Sequence, residues 1–274
     1  MRTNWALCIV VSSLAVLEFD GCTKSQVSSS RAASTLLIFR DGTWYSQRAN
    51  DTRGGSPARI GVFGQKGDQP IVGDFDNSGR PHLGVFRQGM WLADLNDDAI
   101  YDPPTDKSFS FGVAGDIPVV GDWDGSGKVR IGVFRNGQWF LDLNGNFVFD
   151  GPQGDRALNF GQAGDIPVVG DWDGSGKVRI GVFRNGQWLL DLNGNFRYDG
   201  PQADRVVNFG QAGDIPVVGD WDGSGKVRIG VFRKGQWYLD LNGNFTFDGA
   251  DVDRVVNLGL PADLPAVMTR HSLQ

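Results

Sequence analysis

Glutamate is almost absent from this sequence: Glu18 is the only one, and every other acidic residue is aspartate. Aspartate favours turns and ligand loops whereas glutamate favours helices, so this bias predicts a chain with little helix. Histidine is equally scarce, and neither His82 nor His271 lies in a nucleophile or metal motif. Glycine is abundant instead, with 40 residues in 274, which is typical of a globular chain rich in tight turns.

Basic clusters and long hydrophobic runs are also missing. The formal net charge is −6 and no basic patch is present, so nothing in the charge pattern favours a nucleic-acid partner. The apolar run at 5–17 is too short to span a bilayer, but it follows Arg2 and has the length of a signal-peptide core. We therefore expect a protein of the extracellular space or bacterial cell envelope that does not span the membrane.

The N-terminal part of the chain is expected to lie outside the folded domain. Residues 1–22 have the pattern of a signal peptide, and Gly21-Cys22 resembles a bacterial lipoprotein cleavage site, which makes Cys22 a lipidation candidate. Plain secretion is the alternative, and the sequence leaves both open. Because Cys8 and Cys22 are the only cysteines, the mature chain has no disulfide to form. Residues 23–34 are Ser-rich and indicate a flexible tether before a folded domain at 35–274.

A repeat of 49 residues dominates the rest of the chain. Residues 114–139 recur almost unchanged at 163–188 and 212–237, and a looser copy occupies 66–91. Each such unit needs a neighbour to bury its apolar face, so the repeats are expected to form one assembled ring or stack.

Each repeat has the alternating pattern of four antiparallel strands, here called a, b, c and d. In one copy, apolar residues alternate over 117–123, 129–134, 139–143 and 157–160. Asn136-Gly137, between strands b and c, is a strong hairpin signal because both residues accept positive φ. Four antiparallel strands in a repeat of this length predict the blades of a β-propeller.

The two ends of the chain predict the number of blades. Strands b, c and d of an additional unit are present near the start, at 36–40, 43–47 and 58–63, whereas its strand a is missing. Residues 264–268 match strand a. We therefore predict an all-β, five-bladed propeller that is closed when the C-terminal strand pairs with the N-terminal blade. The predicted blades are 35–67 together with 263–272, 68–115, 116–164, 165–213 and 214–262.

The repeat sequence IPVVGDWDGSGKVRIGVFRNGQWFLDLNGNF resembles the FG-GAP/VCBS repeats of bacterial surface proteins. It is also similar to the calcium-loop propellers of integrin α-chains and of some lectins. The resemblance covers roughly residues 61–263. It implies an extracellular binding or adhesion module, often with Ca²⁺ in the loops of its blades.

The loop between strands a and b departs from the resembled family, which places oxygen ligands at positions one, three, five and nine. Position five is Ser126 and position nine is Arg130, which cannot ligate a cation. A guanidinium can pair with two carboxylates, so we expect the arginine to replace calcium and close the turn as a salt bridge. The looser copy has His82 at position nine. The predicted salt-bridged turns comprise Asp122, Asp124 and Arg130; Asp171, Asp173 and Arg179; and Asp220, Asp222 and Arg228.

The loop between strands c and d keeps its oxygen ligands and is the candidate calcium site. An all-oxygen set suits a hard cation such as Ca²⁺, and without any glutamate the sites are expected to be weak. The Asp94 loop has a third carboxylate, Asp98, and is expected to be the tightest. The alternative is that these side chains only hydrogen-bond their own turns, since Phe147 replaces the glycine expected at position six. The candidate ligands are Asp94, Asn96, Asp98 and Asp102; Asp142, Asn144, Asn146 and Asp150; Asp191, Asn193, Asn195 and Asp199; and Asp240, Asn242, Asn244 and Asp248.

These features favour a secreted or surface-anchored, monomeric binding module with an extracellular glycan or protein ligand. A multivalent, lectin-like module is the first hypothesis, because repeated weak sites gain avidity. Protein adhesion or a purely structural role is the alternative. We expect Trp123, Trp139 and their copies to pack between blades rather than bind sugar. A glycoside hydrolase is disfavoured, because it needs two specialised carboxylates and the aspartates here recur in every blade as turn residues.

Overall fold

The computed structural model describes residues 32–51 and 56–269, and all of their regular structure is β. The predicted signal peptide, the lipidation candidate Cys22 and most of the predicted tether lie outside these ranges. No helix that could cross a membrane occurs among the described residues.

Twenty strands form five sheets of four strands each. Blade 1 contains β1 (Thr35–Arg40), β2 (Thr43–Arg48), β3 (Ala58–Val62) and the last strand, β20 (Leu264–Met268). Blade 2 contains β4 (Gln69–Gly73), β5 (His82–Arg87), β6 (Met90–Ala93) and β7 (Lys107–Ser110). Blade 3 contains β8 (Ile117–Gly121), β9 (Arg130–Arg135), β10 (Gln138–Leu141) and β11 (Arg156–Asn159). Blade 4 contains β12 (Ile166–Gly170), β13 (Arg179–Arg184), β14 (Gln187–Leu190) and β15 (Arg205–Asn208). Blade 5 contains β16 (Ile215–Gly219), β17 (Arg228–Arg233), β18 (Gln236–Leu239) and β19 (Arg254–Asn257).

The ring closes through the C-terminal strand, as the sequence predicts. β20 pairs antiparallel with β1, in a register that runs from Thr35 opposite Met268 to Phe39 opposite Leu264. The innermost strand of each blade packs against those of its two neighbours, and β20 takes its place between β16 and β4. The prediction of an all-β, five-bladed propeller of four-stranded antiparallel blades is therefore confirmed.

The apolar core is divided among the five interfaces between blades. One buried cluster lies at each interface, including the closing one, where Leu36 and Ile38 of blade 1 pack against Trp221 and Phe232 of blade 5. Alternation along each strand produces this arrangement, because every second side chain faces a neighbouring blade.

The tryptophans belong to this core. All eight in the described residues are at most 7% exposed, which confirms their interpretation as packing residues. Trp139 Nε1 donates to the carbonyl oxygen of Phe160 at 2.9 Å, and this bond ties strand c to the end of strand d. The indole N–H is thereby satisfied inside the core, as burial requires.

The hairpins between strands b and c have the predicted left-handed turn. Asn136 has φ 51° and Gly137 has φ 93°. A Cβ atom on Gly137 would lie 2.8 Å from the carbonyl oxygen of Gly161, so the position also needs glycine for space.

Candidate functional site

Strand direction brings the two aspartate-rich loops of each blade to one face of the ring. Strands a and c end where strands b and d begin, because neighbouring strands are antiparallel. The a–b and c–d loops therefore emerge together on what we call the aspartate face. The b–c hairpins and the connections between blades lie on the opposite side, which we call the hairpin face.

In the a–b loop, the first aspartate organises the turn through backbone bonds. Asp122 accepts the backbone N–H groups of Ser126 at 3.0 Å and Gly127 at 2.8 Å, and the loops at Asp171 and Asp220 repeat these contacts. Both oxygens of this carboxylate are thus engaged by the main chain. The expected salt bridge of the arginine therefore involves the second aspartate of the loop, in blades 4 and 5.

The arginine of the a–b loop contacts the second aspartate instead. Arg179 Nη2 lies 2.8 Å from Asp173 Oδ2, and Arg228 Nη1 lies 2.7 Å from Asp222 Oδ2. In blade 3, Arg130 Nε donates to the carbonyl oxygen of Leu143 in the c–d loop, at 3.4 Å. The guanidinium therefore lies between the two loops of a blade, beside the glycine at position four of the c–d loop.

The c–d loop is built around two buried carboxylates. Asp142 is fully buried and accepts the N–H groups of Gly145 at 2.7 Å and Phe147 at 3.0 Å. Asp155 is 4% exposed and accepts the N–H groups of Leu143 at 3.0 Å and Asp150 at 2.6 Å. The two aspartates hold the two halves of the loop in place.

Burial raises the pKa of Asp142, and the hydrogen bonds from Phe147 and Gly145 oppose that rise. The neighbouring charge of Asp155 raises the pKa further. Burial is also the largest cause of the raised pKa of the equivalent aspartates in the other blades, Asp94, Asp191 and Asp240. Two carboxylates held close together in a poorly solvated loop repel each other, which is the electrostatic condition that a bound cation relieves.

The outer part of the c–d loop is hydrogen-bonded within itself. Asn144 Oδ1 accepts the N–H of Asn146 at 2.9 Å, and Asn146 Oδ1 accepts the N–H of Val148 at 2.8 Å. Both amide nitrogens donate to Asp150 Oδ2. Phe147, at the position where the resembled loops have glycine, adopts φ 64° nevertheless. The loop therefore reaches the left-handed turn without glycine, and calcium binding by its oxygens remains a prediction.

The c–d loops of blades 2 to 5 each expose one aromatic ring at their eighth position. The four residues are 38–45% exposed: Tyr101, Phe149, Tyr198 and Phe247. Phe149 contacts Phe140 of its own blade and Phe111 of the preceding blade, with ring centroids 5.4 and 6.4 Å apart. Phe247 repeats this arrangement with Tyr238 and Phe209. The rings of Phe149 and Phe247 therefore each contact an aromatic ring of the preceding blade, across the interface between the two blades.

Blade 2 departs from the other blades at His82. This residue occupies the position of Arg130, Arg179 and Arg228, and its ring is fully buried. Its Nδ1 lies 3.0 Å from Asp97 Oδ1 in the c–d loop, and its Nε2 lies 3.4 Å from Asp76 Oδ1 in the a–b loop. Burial alone would raise the pKa of Asp76, but hydrogen bonds from Ser78 and the nearby His82 lower it to about 2.

A small cavity opens between blades 2 and 3 on the aspartate face. It has a volume of about 80 Å³ and is lined by Phe75 and Lys107 of blade 2 and by Arg130, Asp142 and Phe147 of blade 3. Ligand pockets usually measure roughly 300–1,000 Å³, so a larger ligand must bind to the surface rather than inside this cavity.

Three sets of residues were missed by the sequence analysis. The second buried carboxylate of each c–d loop (Asp106, Asp155, Asp204 and Asp253) recurs with the repeat, and that period was the available signal. The exposed aromatic rings recur in the same way. On the hairpin face, a buried aspartate before strand a pairs with the last arginine of strand b in every blade, at 2.5–2.7 Å. These pairs are Asp68–Arg87, Asp116–Arg135, Asp165–Arg184, Asp214–Arg233 and Asp263–Arg40.

Together these features define a class: a five-bladed β-propeller with paired aspartate-rich loops on one face of four blades. No family model matches the chain, and no curated protein matches it. The fold is similar to the solved structure of an Agrocybe aegerita lectin described as specifically recognising non-reducing terminal N-acetylglucosamine. The TM-score is 0.43 and the identity 15%, over 81% of this chain and 62% of the lectin chain. Similarity at this level defines neither a family nor a ligand.

Proposed function

We propose that this protein is a multivalent, lectin-like binding module of the extracellular space or cell envelope. The observation that carries the proposal is the set of four exposed aromatic rings, Tyr101, Phe149, Tyr198 and Phe247, at one position of four equivalent loops. A sugar ring has an apolar C–H face that stacks on an aromatic side chain and hydroxyl groups that bond to carboxylates and amides. Apolar surface beside a few oriented polar groups is typical of small-ligand sites.

Each of the four sites is expected to bind a glycan weakly, whereas the four together bind with high apparent affinity. Phe149 and Phe247 are each partly covered by their own blade and the preceding one, so these rings offer a shallow surface rather than a pocket. Because the blades are rigid parts of one ring, sites on neighbouring blades can engage one branched or densely displayed glycan at once. Such simultaneous binding raises the apparent affinity without new contacts at any single site.

Calcium is proposed as a weak, structural ligand of the c–d loops. The donor set is entirely oxygen, and the buried Asp142 and Asp155 repel each other unless a cation or proton intervenes. Dissociation constants of roughly 10⁻⁴–10⁻³ M, as in extracellular calcium modules, are expected. When bound, the ion would neutralise the loop and fix the neighbouring aromatic ring. The a–b loops are not proposed as calcium sites in blades 3 to 5, because an arginine occupies each of them.

A glycan array with and without calcium tests the proposal. The parent is expected to bind a defined set of glycans, and the variant with all four exposed rings changed to alanine is expected to lose that binding. A matched control changes Val113 and Leu260 to alanine, since these are 50% and 52% exposed on the hairpin face. Loss of binding in the control as well, or no binding by the parent in millimolar calcium, contradicts the glycan proposal. The second result favours protein adhesion instead.

A further inference from the structure

We propose that Asp74, Asp76 and His82 of blade 2 bind one divalent transition-metal ion of the zinc type, with Asp97 as a positioning residue. Within residues 32–51 and 56–269, this is the one group of three metal-ligating side chains whose donor atoms all lie within 4.8 Å of one another. Bonds to zinc of about 2.0–2.2 Å separate neighbouring ligand atoms by about 3.0–3.6 Å. His82 Nε2 and Asp76 Oδ1 are already 3.4 Å apart, which lies within that range.

The histidine ring is oriented for metal binding by Asp97. An ionised carboxylate only accepts hydrogen bonds, so the 3.0 Å contact with Asp97 Oδ1 assigns a proton to His82 Nδ1. In a neutral imidazole, Nε2 then carries a lone pair that faces Asp76 at 3.4 Å and the Ser78 hydroxyl at 3.5 Å. The Ser78 hydroxyl can donate to this lone pair, and a metal ion bound there would use the same lone pair together with Asp76. A carboxylate bonded to the far nitrogen of a histidine ligand is a recurrent feature of zinc sites.

The two aspartate ligands are held by the turn itself. Asp74 accepts the N–H groups of Ser78 at 2.9 Å and Gly79 at 2.8 Å, and Asp76 accepts that of Ser78 at 3.0 Å. Each carboxylate has about four lone-pair sites, so both retain acceptor capacity for a metal. One nitrogen and two oxygens suit zinc, nickel or cobalt better than calcium, which prefers oxygen alone.

Blade 2 carries two linked changes that create this site. In blades 3, 4 and 5, an arginine fills the position of His82 and a glycine fills that of Asp97. A Cβ atom on Gly145 would lie 2.9 Å from the guanidinium of Arg130, so the arginine leaves no room for a side chain there. The smaller imidazole makes that room, and Asp97 takes it despite a left-handed φ of 61°. Aspartate tolerates this left-handed conformation better than most residues, and from here its carboxylate contacts the histidine, so the two changes of blade 2 form a pair.

Zinc titration of the untagged protein by calorimetry tests the proposal, with Co²⁺ absorption as a spectroscopic probe. The parent is expected to bind one equivalent of Zn²⁺, and His82→Gln is expected to lose this binding. Asp97→Asn should bind roughly 10–100-fold more weakly, as a positioning residue would. The matched control is the double variant His82→Arg/Asp97→Gly, which recreates the loops of blades 3 to 5 and should fold without binding Zn²⁺. His271→Ala, the other histidine, should bind as the parent does.

Two results would overturn the proposal. One is the absence of Zn²⁺ binding by the parent, in which case His82 only links the two loops through its contacts with Asp76 and Asp97. The other is unchanged affinity in both His82 variants, which would locate the ion elsewhere. If a variant fails to fold, X-ray absorption of the Co²⁺-loaded His271→Ala protein still reports whether nitrogen is a ligand, and an all-oxygen spectrum would also refute the site.

Discussion

Replacing Asp263 with alanine removes the ion pair that ties the two ends of the ring together. Asp263 accepts hydrogen bonds from Arg40 Nε and Nη2, both at 2.7 Å, and from the N–H of Leu260 at 2.6 Å. Asp116 makes the same three contacts with Arg135 and Val113, but its arginine is only 19 residues away, compared with 223 for the closing pair. Asp116→Ala is therefore a matched control: it removes the same three hydrogen bonds, but from an ion pair whose partners are close in the sequence.

Both substitutions are expected to lower the free energy of unfolding by similar amounts. A hydrogen bond to a charged group contributes about 1.5–3 kcal/mol to stability. The loss of three such bonds therefore lowers the free energy of unfolding by several kcal/mol at most. The side chain of Arg40 is 38% exposed, so water can replace part of what it loses. We expect a loss of about 3 kcal/mol in the free energy of unfolding for either variant, or about 6–12 °C in melting temperature for a domain of this size.

The two variants should differ in where the fold opens. In Asp263→Ala, β20 can detach locally while blades 2 to 5 stay intact, so the amides of β1 and β20 should exchange faster with deuterium. In Asp116→Ala, both partners stay within blade 3 and the closing strand keeps its protection. Urea unfolding with mass-spectrometric hydrogen exchange measures both effects. An Asp263→Ala protein within about 0.5 kcal/mol of the parent, or with unchanged exchange in β1 and β20, would refute this account of ring closure.

Three further outcomes are expected. Deletion of 263–274 should make the protein insoluble or strongly destabilised, because β1 becomes an open edge, and a truncated protein as stable and monomeric as the parent contradicts the closure. Burial alone would raise the pKa of Asp173, but Ser175 and Arg179 lower it from its ordinary 3.8 to about 2, so this carboxylate stabilises the fold above about pH 4 and less as the pH falls towards 2. Asp173→Asn should therefore flatten the dependence of the urea midpoint on pH in this window, and an unchanged slope argues against the pair. Millimolar calcium should raise the melting temperature, and Asp94→Ala should reduce that rise more than Asp142→Ala does; no rise in the parent favours simple hydrogen-bonded turns.

Much of the fold could be predicted from local signals. The Asn136-Gly137 hairpin needs only two adjacent residues that tolerate positive φ, and the alternating strands need only a period of two. The incomplete units at 36–63 and 264–268 add up to one blade by counting alone. Local geometry and a regular period therefore determined the number of strands, their order and the closure of the ring.

The roles of the aspartates could not be assigned in the same way. Asp116, Asp122, Asp142 and Asp155 are the same residue type in one repeat, yet the first forms an ion pair and the second organises a turn. The last two hold the halves of a loop. Their roles depend on which backbone N–H groups and cations the packed strands bring within about 3 Å, the distance at which hydrogen bonds form.

The propeller follows from the sequence alone, because its repeat, its turns and its strand pattern are properties of neighbouring residues. Which side chains are exposed, and which ones meet, follows only from the packing of the blades. Packing buries the tryptophans between blades, leaves Tyr101, Phe149, Tyr198 and Phe247 partly exposed, and brings His82 within reach of Asp76 and Asp97 from two different loops. Exposure and side-chain contact depend on how blades pack against each other, whereas the alternating pattern and the turn residues are set by the local chain.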